Sequence, residues 1–174
     1  MKRRVLSSAT AVGLVLSGAT AVVSATPASA MCAEAGQTYY SFSSVSTVWK
    51  RTSLSSSYVK GPGSVSLTKG RTWNVQASMT ATVSAEAGVV FAKASTSLGI
   101  TVGAGYSGTQ SFTYTLNVPS GQTKRLQQYK ASKRFVVTKK RVTPTCSTTV
   151  VYRSTVTAPI KSTADRYFMY ALVS

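Results

Sequence analysis

The stretch Thr72–Glu86, TWNVQASMTATVSAE, and the block that follows it, Ala87–Ala92 (AGVVFA), decide how the chain is read. Trp73, Val75, Ala77, Met79, Ala81, Val83 and Ala85 stand at odd positions. Thr72, Asn74, Gln76, Ser78, Thr80, Thr82, Ser84 and Glu86 stand at even ones. Successive side chains of an extended strand point to opposite faces, so unbroken alternation marks a strand with one buried and one wet side. The alternation stops at the small apolar block. It resumes in the opposite phase, with Ala94, Leu98, Ile100, Val102, Ala104 and Tyr106 at even positions. Phe112, Tyr114, Leu116 and Val118 carry that phase to the turn Pro119-Ser120-Gly121. A phase flip around an apolar block is what a reversal between two long strands produces. The pattern predicts an amphipathic hairpin over Trp73–Val118 with Val89, Val90 and Phe91 at its tip. A short helix over Ala85–Ala94 is the alternative; Gly88 and the β-branched pair Val89-Val90 weaken it.

Working outward, Thr38–Lys50 (TYYSFSSVSTVWK) is aromatic and β-branched and reads as a strand, and Gly61-Pro62-Gly63 is a turn signal. Beyond Gly121, Leu126, Tyr129, Phe135, Val136 and Val137 suggest two more strands, and Thr148–Thr157 and Tyr167–Val173 the last two. About seven to nine strands and no convincing helix define an all-β protein, an elongated antiparallel sheet or a β-sandwich carrying the long hairpin.

The first 30 residues read as a secretory signal peptide. Lys2, Arg3 and Arg4 form a basic start, an apolar stretch runs around Ala11–Val23, and Ala28-Ser29-Ala30 fits a cleavage site. A membrane anchor is the competing reading, but the apolar run is short of the roughly 20 residues a span needs. Residues 31–174 then form one secreted, extracellular domain. Cys32 and Cys146 are an even pair in an exported chain and are expected to form a disulfide. A reactive thiol would need a nearby positive charge, and the charge nearest in sequence is Glu34, of the wrong sign.

The chain holds 20 Lys+Arg, 3 Asp+Glu and no His in 174 residues. Without His there is no Ser-His-Asp triad, no Cys-His pair and no His metal ligand; two Cys cannot make a four-thiolate zinc site. Glu34, Glu86 and Asp165 are far apart in sequence and would have to converge to act as a carboxylate pair. The expectation is therefore a non-enzymatic protein with no catalytic residue, no metal and no cofactor. Loss of Lys2, Arg3 and Arg4 with the leader leaves +14, three fewer than the +17 of the whole chain. Lys124, Arg125, Lys130, Lys133, Arg134, Lys139, Lys140 and Arg141 form a dense basic run. It reads as an anion-binding face, or more blandly as a solvated one, but the excess surpasses what solubility needs. The expected partners are an anionic cell surface, membrane lipid or an acidic secreted protein, with oligomeric or heteromeric assembly left open. No nucleic-acid motif is present, so no nucleic acid is expected.

The stretch SVSLTKGRTWNVQASMTATVSAE, its counterpart STSLGITVGAGYSGTQSFTYTLNVPSGQT and the Val-Pro-x-Gly turn at Val118–Gly121 resemble the central sheet of aerolysin and epsilon-toxin type β-pore-forming proteins, over about Ser64–Thr123. The resemblance implies a β protein whose hairpin can swing out and join a barrel. A looser likeness, carried by the leader, the Cys pair and the Ser/Thr-rich strands, is to small exported actinobacterial adaptor proteins of umbrella-shaped toxin particles. It implies a β subunit that links other proteins.

Overall fold

The computed structural model describes residues 32–174; the expected signal peptide, residues 1–30, lies outside the described residues. The organising element is strand β7, Thr123–Val142, whose 20 residues span about 60 Å at the usual rise. Its burial changes phase halfway. In the first half the even-numbered Leu126, Gln128, Lys130 and Ser132 are buried, joined on the other side by Gln127 and Ala131; in the second the odd-numbered Phe135 and Val137 are buried while Arg134 and Lys140 are exposed, and Val142 is buried at the end. Because odd and even side chains point to opposite faces, the sheet is covered on one face near one end and on the other face near the other end.

Four other strands are arranged along β7 and pair with it antiparallel. Strand β1, Thr38–Ser55, runs along one edge, from Thr38 opposite Arg141 to Ser55 opposite Gln127. Strand β2, Val59–Lys60, meets Lys124 and Thr123. Strand β8, Thr148–Pro159, takes the second half of the other edge, and β9, Phe168–Val173, the first half. The Cys32–Cys146 disulfide, with Cα atoms 5.2 Å apart, fastens the start of the domain to the β7–β8 turn across a separation of 114 residues.

One cover is a two-stranded ribbon. Strand β3, Gly63–Leu67, pairs with β6, Tyr114–Val118; β4, Thr72–Gln76, pairs with β5, Gly105–Thr109. Stepping five residues along each strand from the Leu67–Tyr114 pair lands on Thr72–Thr109, so both ladders share one register. The ribbon presses Val65, Leu67, Trp73 and Val75 onto Leu54 and Leu126. The other cover is helical: α1, Ala81–Ala85, and α2, Ala87–Leu98. Val83, Val90, Phe91 and Ala94 pack on Phe135, Val137, Val156 and Ala158. Each large apolar side chain so buried contributes about 1.5–3 kcal/mol. Gly99, in the left-handed region at φ 62°, caps α2.

The all-β architecture stands as expected, but the middle of the hairpin does not. Within it only Trp73–Gln76 pair with Gly105–Gly108; Tyr114–Val118, expected at its far end, pair with Gly63–Leu67, which precede it. Between Gln76 and Gly105 the chain is helical, and the expected tip residues Val89, Val90 and Phe91 lie on α2, with Val90 and Phe91 in the core and Val89 half exposed. The physical reason is a second periodicity. Val83, Ala87, Val90, Phe91, Ala94 and Leu98 recur at three- and four-residue intervals, placing one apolar stripe on a helix. With the exposed β7–β8 face nearby to receive that stripe, packing outweighs the cost of Gly88 and Val89-Val90 in helical conformation.

Candidate functional site

Residues paired across antiparallel strands share a face. The β7–β8 and β1–β7 registers therefore assemble, on the side away from α2, four rows of side chains across β1, β7 and β8: Tyr39–Lys140–Val150, Ser41–Thr138–Arg153, Ser43–Val136–Thr155 and Ser46–Arg134–Thr157. Neither the ribbon nor the helices cover these rows. Arg134, Lys140 and Arg153 are exposed, as are Tyr39, Ser41, Ser43, Ser46 and Thr155. Strand alternation and the roughly 4.8 Å strand spacing place three cations on a hydroxyl-rich, slightly twisted surface. Hydroxyls and guanidinium or ammonium groups can all donate to phosphate or carboxylate oxygens.

The eight cations of the basic run do not form one face, because a strand sends neighbours to opposite sides. Arg134 and Lys140 lie on the hydroxyl-rich face. Lys133 lies on the other side, where its ammonium donates to Thr47 Oγ1 at 2.9 Å, and Arg141 is exposed on that side beside Thr38. Arg125 stacks 5.1 Å from the centre of the Tyr58 ring, and Lys124 donates to Ser174 Oγ at 2.6 Å. Lys130 is buried, and Lys139 is paired with Glu86. Arg153 and Tyr39, which complete the surface, were outside the expected set. Arg153 stands alone among uncharged residues of β8, and only the strand register brings it beside Thr138.

On the helical side, Glu86 sits at the junction of α1 and α2. Its carboxylate accepts from the Lys139 ammonium, from Tyr40 OH at 2.7 Å and from Tyr152 OH at 3.0 Å. Lys139 and then the tyrosine hydroxyls hold the Glu86 carboxyl below its ordinary pKa; in turn, hydrogen bonding to Glu86 raises Lys139. Burial, then the bond to Glu86, raises both tyrosines. Every acceptor direction of the carboxylate that these groups reach is used, which makes it a clamp between helix and sheet. Glu34 accepts from Tyr39 OH at 3.2 Å. Tyr39 and Tyr40 are strand neighbours, so Glu34 and Glu86 meet opposite faces. Asp165 lies at the far end, on the short 3-10 turn Asp165–Tyr167 before β9. The structure does not bring the three carboxylates together.

A second uncovered surface lies on the opposite side at the other end. Trp49, Arg51 and Tyr129 there adjoin Met169, Ala171 and Val173 of β9, an aromatic and aliphatic patch with an arginine at its margin. Trp49 is exposed and the β9 residues are half-buried. Among the described residues no helix is long and apolar enough to cross a membrane.

Comparison of the chain with protein-family models, with curated proteins and with solved structures found no match in any of the three.

Proposed function

We propose that this is a secreted, non-enzymatic cationic β protein that binds anionic surfaces, phosphate-bearing lipid headgroups or polyanionic wall polymers, through the face carrying Arg134, Lys140 and Arg153. The single observation that carries the reading is that these three side chains share one exposed hydroxyl-rich surface. Among the described residues one ion pair exists, Glu86–Lys139, so none of the three cations is ion-paired; the Glu34 carboxylate reaches the same face at Tyr39. Membrane insertion by the tip is no part of this reading, because Val90 and Phe91 serve the core.

The test is co-sedimentation with vesicles of phosphatidylglycerol and phosphatidylcholine, against pure phosphatidylcholine. An exposed cation near an anionic surface contributes about 1 kcal/mol, so Arg134→Ala, Lys140→Ala and Arg153→Ala together should weaken binding about a hundredfold. Raising salt should weaken it further, because screening acts over about 8–10 Å. Equal binding to neutral vesicles, or an unaltered affinity of the triple variant, would sink the reading.

A second reading, a structural adaptor between exported proteins, is favoured by the Trp49–Tyr129–Met169 surface. Aromatic and Met side chains with arginine at the margin are what protein interfaces concentrate.

A further inference from the structure

Among the described residues, strand β1 is bonded along one side only. Its ladder partner is β7, and among the described residues no strand pairs with its outer edge. An unpaired edge offers a row of backbone N–H and C=O groups to any other chain, and proteins ordinarily protect such edges with charges or proline. Thr38–Trp49, TYYSFSSVSTVW, has neither. The irregularity between Ser43 and Ser46 divides the edge, leaving Thr38–Ser43 as a regular six-residue segment of about 20 Å.

Beside that segment lies an open groove of about 690 Å³. Tyr40 and Phe42 form its strand side; Ala92, Lys93 and Thr96 of α2 form its helix side. Ala92, Lys93 and Thr96 are exposed, so the helix wall is free. An edge strand with a helix running beside it at groove width is the arrangement into which an extended peptide inserts as an added strand.

We propose that this groove is a strand-addition site for an extended acidic segment of a partner protein. The period of two sets its pattern. Alternate residues of the added strand lie on the α2 side, where Lys93, Thr96 and Ser97 favour carboxylates whose methylenes rest on Phe42 and Ala92. The intervening residues point away from α2 and carry no charge requirement. Lys93 is the one charged side chain in the groove lining, and its ammonium stands 5.9 Å from the centre of the Tyr40 ring at the lip. Docking a second copy of this chain would set one strongly positive surface against another; an acidic partner relieves the same charge. The inference goes beyond the anionic-surface reading and does not depend on it: it concerns another surface and a protein ligand.

The test uses a fluorescein-labelled eight-residue peptide of alternating Val and Glu, with a Val–Lys peptide as charge control, followed by anisotropy. The expected result is binding of Val–Glu but not Val–Lys. Binding should fall at least tenfold in Lys93→Glu and again in Ala92→Trp, which fills the groove from an exposed helix position without touching the core. Methylating one alternate set of peptide nitrogens should abolish binding while the other set is tolerated, because an added strand turns every second N–H toward β1. Equal tolerance of both methylated peptides, equal binding of Val–Lys, or full affinity in Ala92→Trp overturns the proposal. It also falls if sedimentation velocity finds a dimer of the unliganded chain that Ala92→Trp converts to monomer, since the edge then belongs to a second copy. The Arg134/Lys140/Arg153 variant keeps the groove intact, so loss of vesicle binding there leaves this result separately readable.

Discussion

Lys130 of β7 lies directly opposite Phe168 of β9, and its ammonium sits 3.8 Å from the centre of that ring. The rings of Tyr106, Tyr167 and Trp73 stand at 5.3, 5.5 and 5.9 Å. The side chain is fully buried, and its ammonium donates to the Ser162 carbonyl. Cation–π attraction to four rings offsets part of the desolvation, but no carboxylate balances the charge.

Burial pushes the Lys130 pKa down from the usual 10.5 to about 8, and burial lowers Lys50, its neighbour across β1, in the same direction. Between these values the unfolded chain binds more protons than the folded one, so folding stability rises with pH from about 8 towards 10.5. For Lys130 the rise is on the order of 3 kcal/mol at most. Tyr40 and Tyr152, raised above the usual 10.0, act oppositely beyond that pH and close the window. Urea denaturation at pH 7.5 and 9.5 should show the gain. In Lys130→Met the gain should shrink, and stability at pH 7 should increase by about 1–2 kcal/mol because an unpaired buried charge is gone.

Glu86 works in the acid range. Its carboxyl is held below the usual 4.5, so its contribution is complete above that value and disappears as pH falls through the lowered one. Glu86→Gln should lower the melting temperature by a few degrees at pH 7, and its difference from the parent should shrink steadily as pH falls below 4.5. A melting-temperature series against pH for both proteins checks this.

Closing a 114-residue separation, the Cys32–Cys146 disulfide should contribute roughly 4–5 kcal/mol through loss of unfolded-state entropy. The double variant Cys32→Ser, Cys146→Ser should lose most of that in denaturant titration. Its fold should persist, since the two hydrophobic clusters and the β7 ladders do not include either Cys.

Phe91→Ala should destabilise by about 3–5 kcal/mol, and Phe91→Asp should prevent folding, because the ring is buried against the sheet. Val89→Asp, half exposed on the same helix, should change stability by less than about 0.5 kcal/mol. Far-ultraviolet circular dichroism and thermal melts of the three variants separate this packed helix from a solvent-facing tip, in which all three would fold.

Much of this was legible in the residues. The alternation of Val65, Leu67, Trp73 and Val75, and of Tyr106, Tyr114, Leu116 and Val118, marked the two ribbon arms, because a ribbon lying on a sheet really is two-faced. The same alternation misled over Ala77–Ala85, where small residues at every second position fit a strand and a short helix alike. The stripe from Val83 to Leu98 favours the helix only once a receiving surface exists, and that surface is made by Phe135, Val137 and Val156, far along the chain. The basic run was visible as a composition but not as a surface. Whether Lys139 meets solvent or Glu86 depends on parity along β7 and on α1 and α2 bringing Glu86 across, which no local pattern reports.

The halfway change of burial phase in β7 has a consequence for how the molecule can be engaged. Its hydroxyl-rich cationic surface and its Trp49 surface look in contrary directions from adjoining halves of a single ladder. Anything that docks on one of these surfaces leaves the other open, because β7 separates them by the thickness of the sheet.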